Sequence, residues 1–144
     1  MNIRRAERSD VPGILAIEQS VVGAAHWSPA KYTEIIEGSG LRRILVAEAD
    51  GLLQGFLVAR TLGDEWEIEN IAVGMQRQGL GSQLLSDLLR EARSERVAKI
   101  WLEVRESNRS ARLLYQKFLF EEHSMRENYY HGPIENAIIY MLCL

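Results

Sequence analysis

The sequence predicts a single α/β domain, residues 1–144, built on a mixed sheet. Apolar residues recur at helical spacing in one long stretch, through Leu80, Leu84, Leu85, Leu88, Leu89 and Ala92, whereas the segments around it are short, apolar and bounded by turn residues. Asp50-Gly51 separates two such segments and favours a tight hairpin, hence antiparallel strands. Residues 65–105 read as strand, helix, strand, and a right-handed crossover of that kind makes its two strands parallel.

In chain order, residues 1–6 read as a short strand, and Ser9 or Asp10 can cap a helix that carries Ile14, Ile17 and Val21. Ser28-Pro29 repeats the start signal, with Tyr32, Ile35 and Ile36 on one face of a second helix. Strands follow over 43–49, 52–62 and 65–73. The long helix opens near Gly79 and closes before Val97, a strand spans 98–105, and Ser107 or Asn108 caps a last helix carrying Ala111, Leu114, Tyr115 and Phe118. Two terminal strands around 120–130 and 137–144 pair across Gly132-Pro133.

Composition narrows the class. With 144 residues, 47% of them hydrophobic, one core can bury roughly two thirds of the unfolded surface, so no metal or disulfide is needed for folding. The single cysteine, Cys143, suits a reducing cytoplasm. The charged N-terminus lacks a signal-peptide pattern, and the longest apolar run, 137–144, is far short of the ~20 residues that span a bilayer. A net charge of -3 offers no general field for nucleic acid. The three histidines, His26, His123 and His131, show no metal-ligand spacing and read as surface or loop residues.

The most informative segment is Val73-Gly74-Met75-Gln76-Arg77-Gln78-Gly79-Leu80-Gly81-Ser82, which joins a strand to the start of the strong helix. Glycines there let backbone amides close on an anion, and the helix dipole adds positive charge, so a pyrophosphate fits. Gly74 and Gly79 have P-loop spacing, but Leu80 and Gly81 stand where that motif needs Lys and Ser or Thr. A dinucleotide fingerprint from Gly79 fails at Leu84, where a third glycine is required. Read from spacing alone, the glycines also suit simple helix packing.

Gln76-x-x-Gly79-x-Gly81 resembles the acyl-CoA pyrophosphate loop of the GNAT N-acetyltransferase superfamily. Asn108-Arg109-Ser110-Ala111-Arg112-Leu113-Leu114-Tyr115 follows a strand ending Trp101-Leu102-Glu103-Val104-Arg105 in that superfamily's order. More narrowly, Asn70-Ile71-Ala72-Val73, Arg77-Gln78-Gly79-Leu80-Gly81, Asn128-Tyr129-Tyr130 and Trp27-Ser28 look like the bacterial ribosomal-protein-alanine acetyltransferases of the RimI type. The resemblance implies the GNAT (acyl-CoA N-acyltransferase) fold, a mixed, mostly antiparallel sheet flanked by helices, with a splay between two parallel strands that admits the pantetheine arm. It implies acetyl-CoA as co-substrate, no metal, and cofactor contacts at Ile71, Ala72, Val73, Arg77, Gln78, Gly79, Leu80, Gly81, Ser82 and Asn108. It places a general base on Glu103 and a general acid on Tyr115. Two features depart from the family. The loop has two fewer residues after Val73, and Leu119 stands where glycine is usual, so the last helix is expected to end differently.

Acetyl transfer to an amine needs a neutral amine, a stabilised oxyanion and a protonated thiolate. An α-amine with pKa near ~8 is neutral at lower cost than a lysine near ~10.4, which suits a carboxylate base at Glu103. Without the resemblance, Tyr115 reads as a core tyrosine and Glu103 as a solvated strand residue paired with Arg105 or another cation. Glu65, Glu67 and Glu69 share one strand face, with Trp66 and Ile68 on the other; Glu69 is expected to attract the cationic substrate or to compete with Glu103 as base. Trp27, Tyr129 and Tyr130 are expected to wall the acceptor pocket, with edge packing the alternative for each.

The resulting expectation is a cytoplasmic N-acetyltransferase acting on a protein N-terminus, with alanine of a small-subunit ribosomal protein as first candidate and no nucleic-acid or membrane partner. Acetylation of a lysine or small amine, and acyl-CoA binding without turnover, are the alternatives. A pure binder needs neither Glu103 nor Tyr115.

Overall fold

In the computed structural model, which describes residues 2–21, 26–38, 40–61, 63–74 and 79–144, strands β1 (Asn2–Arg5), β2 (Arg42–Ala49), β3 (Leu52–Arg60), β4 (Glu65–Val73), β5 (Lys99–Arg105), β6 (Glu121–Tyr130) and β7 (Glu135–Cys143) form one sheet. Its order is β1-β2-β3-β4-β5-β7-β6. Helices α1 (Val11–Ser20), α2 (Pro29–Glu37), α3 (Leu80–Ser94) and α4 (Arg109–Lys117) flank it. The β4–β5 pair is parallel and the others are antiparallel, as the crossover argument predicts. Asp50 and Gly51 both take positive φ, 54° and 77°, the geometry of the hairpin turn that matches strand twist.

Strand alternation sends side chains to two cores. Leu45, Ala47, Leu57, Trp66, Ile100, Leu102, Ile138 and Tyr140 pack under α3 and α4. Ile44, Val46, Phe56, Val58 and Ala72 pack under α1 and α2. Because Ile100, Leu102 and Val104 belong to the first core, their neighbours Trp101 and Glu103 share the α1/α2 face. A bulge changes the parity within β4. Val58 pairs with Asn70 and Ala59 with Ile68, leaving Glu69 as the extra residue. Trp66 and Ile68 therefore face the first core, as do Ile71 and Val73 beyond the bulge.

Two helix ends differ from expectation. Ser28 caps α2 through Lys31 N–H at 3.1 Å, but neither Ser9 nor Asp10 caps α1 with its side chain. The Asp10 carboxylate is drawn instead to Arg4, at 2.8 and 3.0 Å, and to the Glu7 N–H at 2.7 Å, so it closes the 3-10 turn Arg8–Asp10 that precedes α1. Helix α4 ends as a glycine would end it, although the residue is leucine. Leu119 sits at φ 70°, with Leu119 N–H bonded to Gln116 O and Phe120 N–H to Tyr115 O, a Schellman closure sealed by the Tyr115–Phe120 ring contact at 5.7 Å.

A left-handed leucine costs about 1–2 kcal/mol, and Leu119 is 76% exposed, so its side chain recovers little of that. Leu119→Gly is accordingly expected to stabilise the fold by about 1 kcal/mol, raising Tm by roughly 3 °C. A thermal melt that moves down contradicts this account of the turn.

Candidate active site

The site opens where β4 and β5 part. Their parallel pairing runs from Glu65↔Lys99 to Ile68↔Leu102 and stops, although β4 continues to Val73 and β5 to Arg105. From Glu103 onward β5 pairs with β7 alone. The free edge of β4 is set by hydrogen-bond alternation. Gly74 N–H bonds Gln54 O at 2.8 Å, so Asn70 and Ala72 also direct their backbone groups to β3, while those of Ile71 and Val73 face the gap. Of the predicted cofactor-lining residues, Ala72 thus contributes a buried side chain to the second core and no free backbone group.

At the far end of the same strand lies the cradle. Gly79 takes φ 67° as the N-cap of α3, a left-handed conformation that strains other residues. The Leu80, Gly81 and Ser82 N–H groups occupy the first turn, before Gln83 N–H closes on Gly79 O at 3.1 Å, and are therefore free for an anion. A Cβ on Gly81 would come within 3.2 Å of Leu114, so glycine is what lets α4 approach here. Leu80 is buried and can contribute only its backbone. Arg77 and Gln78 lie outside the described residues. Lys117, which the motif reading did not single out, brings Nζ to 3.4 Å from Ser82 Oγ and places a cation at the cradle's mouth. The Asn108 carbonyl oxygen caps α4 through Ala111 N–H at 3.2 Å, so only its amide NH2 remains for a ligand.

Beside the splay, on the α1/α2 face, a cavity of about 270 Å³ is lined by Glu67, Trp101, Leu102, Glu103, His123, Ser124, Arg126 and Ile139. Glu103 faces Arg126 at 3.6 Å and keeps 27% of its side chain exposed. Glu67, absent from the predicted site, lies in this wall; partial burial, then Glu69 and Glu103, push its carboxyl above its ordinary range. His123 is the extra residue at an irregularity of β6 and meets Trp101 edge-on at 4.9 Å.

The glutamate row is not a uniform solvated face. Glu65 accepts from Trp101 Nε1 at 2.8 Å, and Glu69 is gripped through both oxygens by Arg42, at 2.6 and 3.2 Å. A substrate cation at Glu69 would have to compete with Arg42 for both of its oxygens.

Tyr115 is buried against Phe120 and Tyr140, and burial, then Tyr130, pushes its phenol above the ordinary range. It therefore stays protonated at neutral pH. The Tyr130 phenol is raised by burial, then by the Glu103 carboxylate and Tyr129, and the Arg105 guanidinium lies 4.2 Å over its ring. Asn128, at φ 52°, sits in the irregularity between Arg126 and Tyr130 that re-aims this strand end. Tyr129 is exposed, 5.1 Å from the Tyr130 ring. Trp27 does not line the cavity; it packs on Tyr32 at 5.6 Å, on the same face of the sheet.

No described helix is long and apolar enough to cross a membrane. Residues 10–120 match the model of the acetyltransferase (GNAT) family. The chain is 37% identical over 145 residues to the ribosomal protein bS18-alanine N-acetyltransferase of Escherichia coli, covering 97% of this chain and 95% of that one. It is 36% identical over 147 residues to the Haemophilus influenzae protein of the same name, covering 98% and 97%. The crystal structure of the Escherichia coli enzyme superposes with a TM-score of 0.88 at 34% identity, over 99% of this chain and 92% of that one. On fold, splay, cradle and relatives together, the chain belongs to the GNAT acetyltransferase family, among its ribosomal-protein-alanine N-acetyltransferases of the RimI type.

Proposed function

We propose that this protein moves an acetyl group from acetyl-CoA to the α-amine of a protein N-terminus, with the N-terminal alanine of ribosomal protein bS18 as first acceptor. The observation that carries the reading is the gap between β4 and β5, with a free β4 edge, a glycine cradle at its end and an acidic cavity wall beside it; Tyr115 on α4 adds a buried, protonated phenol. The gap fits acetyl-CoA in chemistry as well as shape: free amides at 80–82 and the Lys117 ammonium meet a pyrophosphate, and the unpaired backbone of Ile71 and Val73 meets an amide-bearing arm.

Acetyl-CoA supplies the activated acyl group. The backbone N–H groups on the β4 edge orient and polarise its carbonyl. Glu103, directly or through a water, removes a proton from an ammonium whose pKa near ~8 puts the neutral amine within about 1.4 kcal/mol at pH 7. Tyr115 donates its proton to the departing sulfur. Arg126 holds the Glu103 carboxylate until a cationic acceptor competes for it.

The deciding assay mixes the protein with acetyl-CoA and two peptides, one with a free N-terminal alanine and one N-blocked with an internal lysine, and follows thiol release and peptide mass. Modification of the first alone is expected. Transfer to the lysine alone, or to neither, overturns the acceptor assignment. For the cradle, Lys117→Ala is expected to raise the KM for acetyl-CoA roughly fivefold with kcat unchanged, and to flatten its salt dependence. An unchanged KM removes Lys117 from the site.

A further inference from the structure

The second core contains a carboxylate that the reaction above does not use. Glu18, on α1, is 2% exposed and is bonded to Tyr32, a member of that core. A buried carboxylate costs several kcal/mol unless its oxygens are satisfied, and an apolar residue of similar size would fill the space without that cost. Its donors are therefore the informative part, and they come from a single segment. Tyr32 O–H donates to Glu18 Oε2, the same oxygen accepts Trp27 N–H at 3.1 Å, and His26 brings Nδ1 to 3.6 Å from Oε1. The Asn70 side chain also acts on the Tyr32 phenol, opposing the rise that burial and Glu18 produce. Asn70 stands at the β4 bulge, where the strand leaves β5.

We infer that Asn70, Tyr32 and Glu18 form a buried hydrogen-bond run that fixes residues 26–28, with Trp27, relative to the splayed β4 edge, and that Glu18 is a positioning residue for the acceptor. The inference rests on the acceptor side of the proposed reaction. Trp27 lies on the face of the sheet that carries Glu103 and the cavity, and its ring is set by Tyr32 beneath it and Lys31 above it at 4.3 Å. The free β4 edge and the cradle are built from other residues. Disturbing Glu18 should therefore act on the acceptor and spare the acyl donor.

The experiment measures initial rates with the N-terminal-alanine peptide and acetyl-CoA, each varied in turn, for wild type, Glu18→Gln, Tyr32→Phe, Trp27→Ala and the Glu18→Gln/Trp27→Ala double variant. The peptide KM is expected to rise about tenfold in Glu18→Gln and in Tyr32→Phe, with kcat and the KM for acetyl-CoA within about twofold of wild type. In the Trp27→Ala background, Glu18→Gln is expected to add less than about twofold, because its effect passes through Trp27. An unchanged peptide KM, a parallel loss for peptide and acetyl-CoA, or a full tenfold effect in the absence of Trp27 overturns the inference. Tyr32→Phe keeps the packed ring, so it decides the matter if Glu18→Gln does not fold. Wild-type protein that leaves the peptide unmodified overturns the acceptor reading itself, and this inference with it.

Discussion

Tyr115→Phe is expected to lower kcat by about a hundredfold or more while acetyl-CoA binds as before, the range a positioned general acid contributes. The substitution removes one hydroxyl from a ring that packs on Phe120 and Tyr140. Among the described residues that hydroxyl makes no hydrogen bond, so no partner is orphaned and the core keeps its shape. The loss should thus fall on the chemical step, where a departing thiolate needs a proton. Because burial raises the phenol, the acid is fully protonated through neutral and mildly alkaline pH. The wild-type rate should accordingly show no alkaline decline below about pH 10 from this group. Rapid-quench acetylation alongside calorimetric titration with acetyl-CoA separates the two quantities. A variant that turns over at the wild-type rate removes Tyr115 as the acid.

Much of the fold was legible because local chemistry and tertiary structure agree. Asp50-Gly51 accepts the hairpin dihedrals, Ser28-Pro29 starts α2, and the leucine repeat of α3 lies entirely in the core. The misses occur where a distant partner intervened. Asp10 has the chemistry of a helix cap, but Arg4 on β1 takes its carboxylate. Leu119 departs from the residue a left-handed turn prefers, yet the Schellman bonds and the Tyr115–Phe120 contact hold the turn regardless.

The site divides in the same way. Glycine spacing pointed to the cradle, because the left-handed turn at Gly79 answers to a local backbone requirement, whereas the candidate pair Glu103 and Tyr115 came from the family resemblance. Alternation alone could not distinguish three glutamates on one strand face. Arg42, on another strand, occupies Glu69; Trp101 bonds Glu65; and Glu67 is left in the cavity wall. Lys117 escaped notice for a related reason, since its role comes from the approach of α4 to the start of α3. Nothing in the local sequence of Glu18 announces its burial, which comes from donors on the segment that follows α1.

Those partnerships fix the expected outcome of the competing-base experiment. Glu103→Gln should lower kcat/KM for an N-terminal-alanine peptide about a hundredfold at pH 7, or about 2.7 kcal/mol of transition-state stabilisation. The loss should shrink as pH rises toward about 8, where the acceptor's α-amine becomes neutral without help. Glu69→Gln should change the rate by less than about threefold, since the carboxylate it removes is already held through both oxygens by Arg42. The pH profile distinguishes a lost base from a damaged site: rising pH supplies neutral amine in place of Glu103 but does not restore misplaced groups. A collapsed rate in Glu69→Gln beside an unchanged one in Glu103→Gln would transfer the base to Glu69, with Arg42 releasing it on acceptor binding. Equal, pH-independent losses in both would make the two carboxylates a shared electrostatic wall for the cationic acceptor and leave proton removal to solvent.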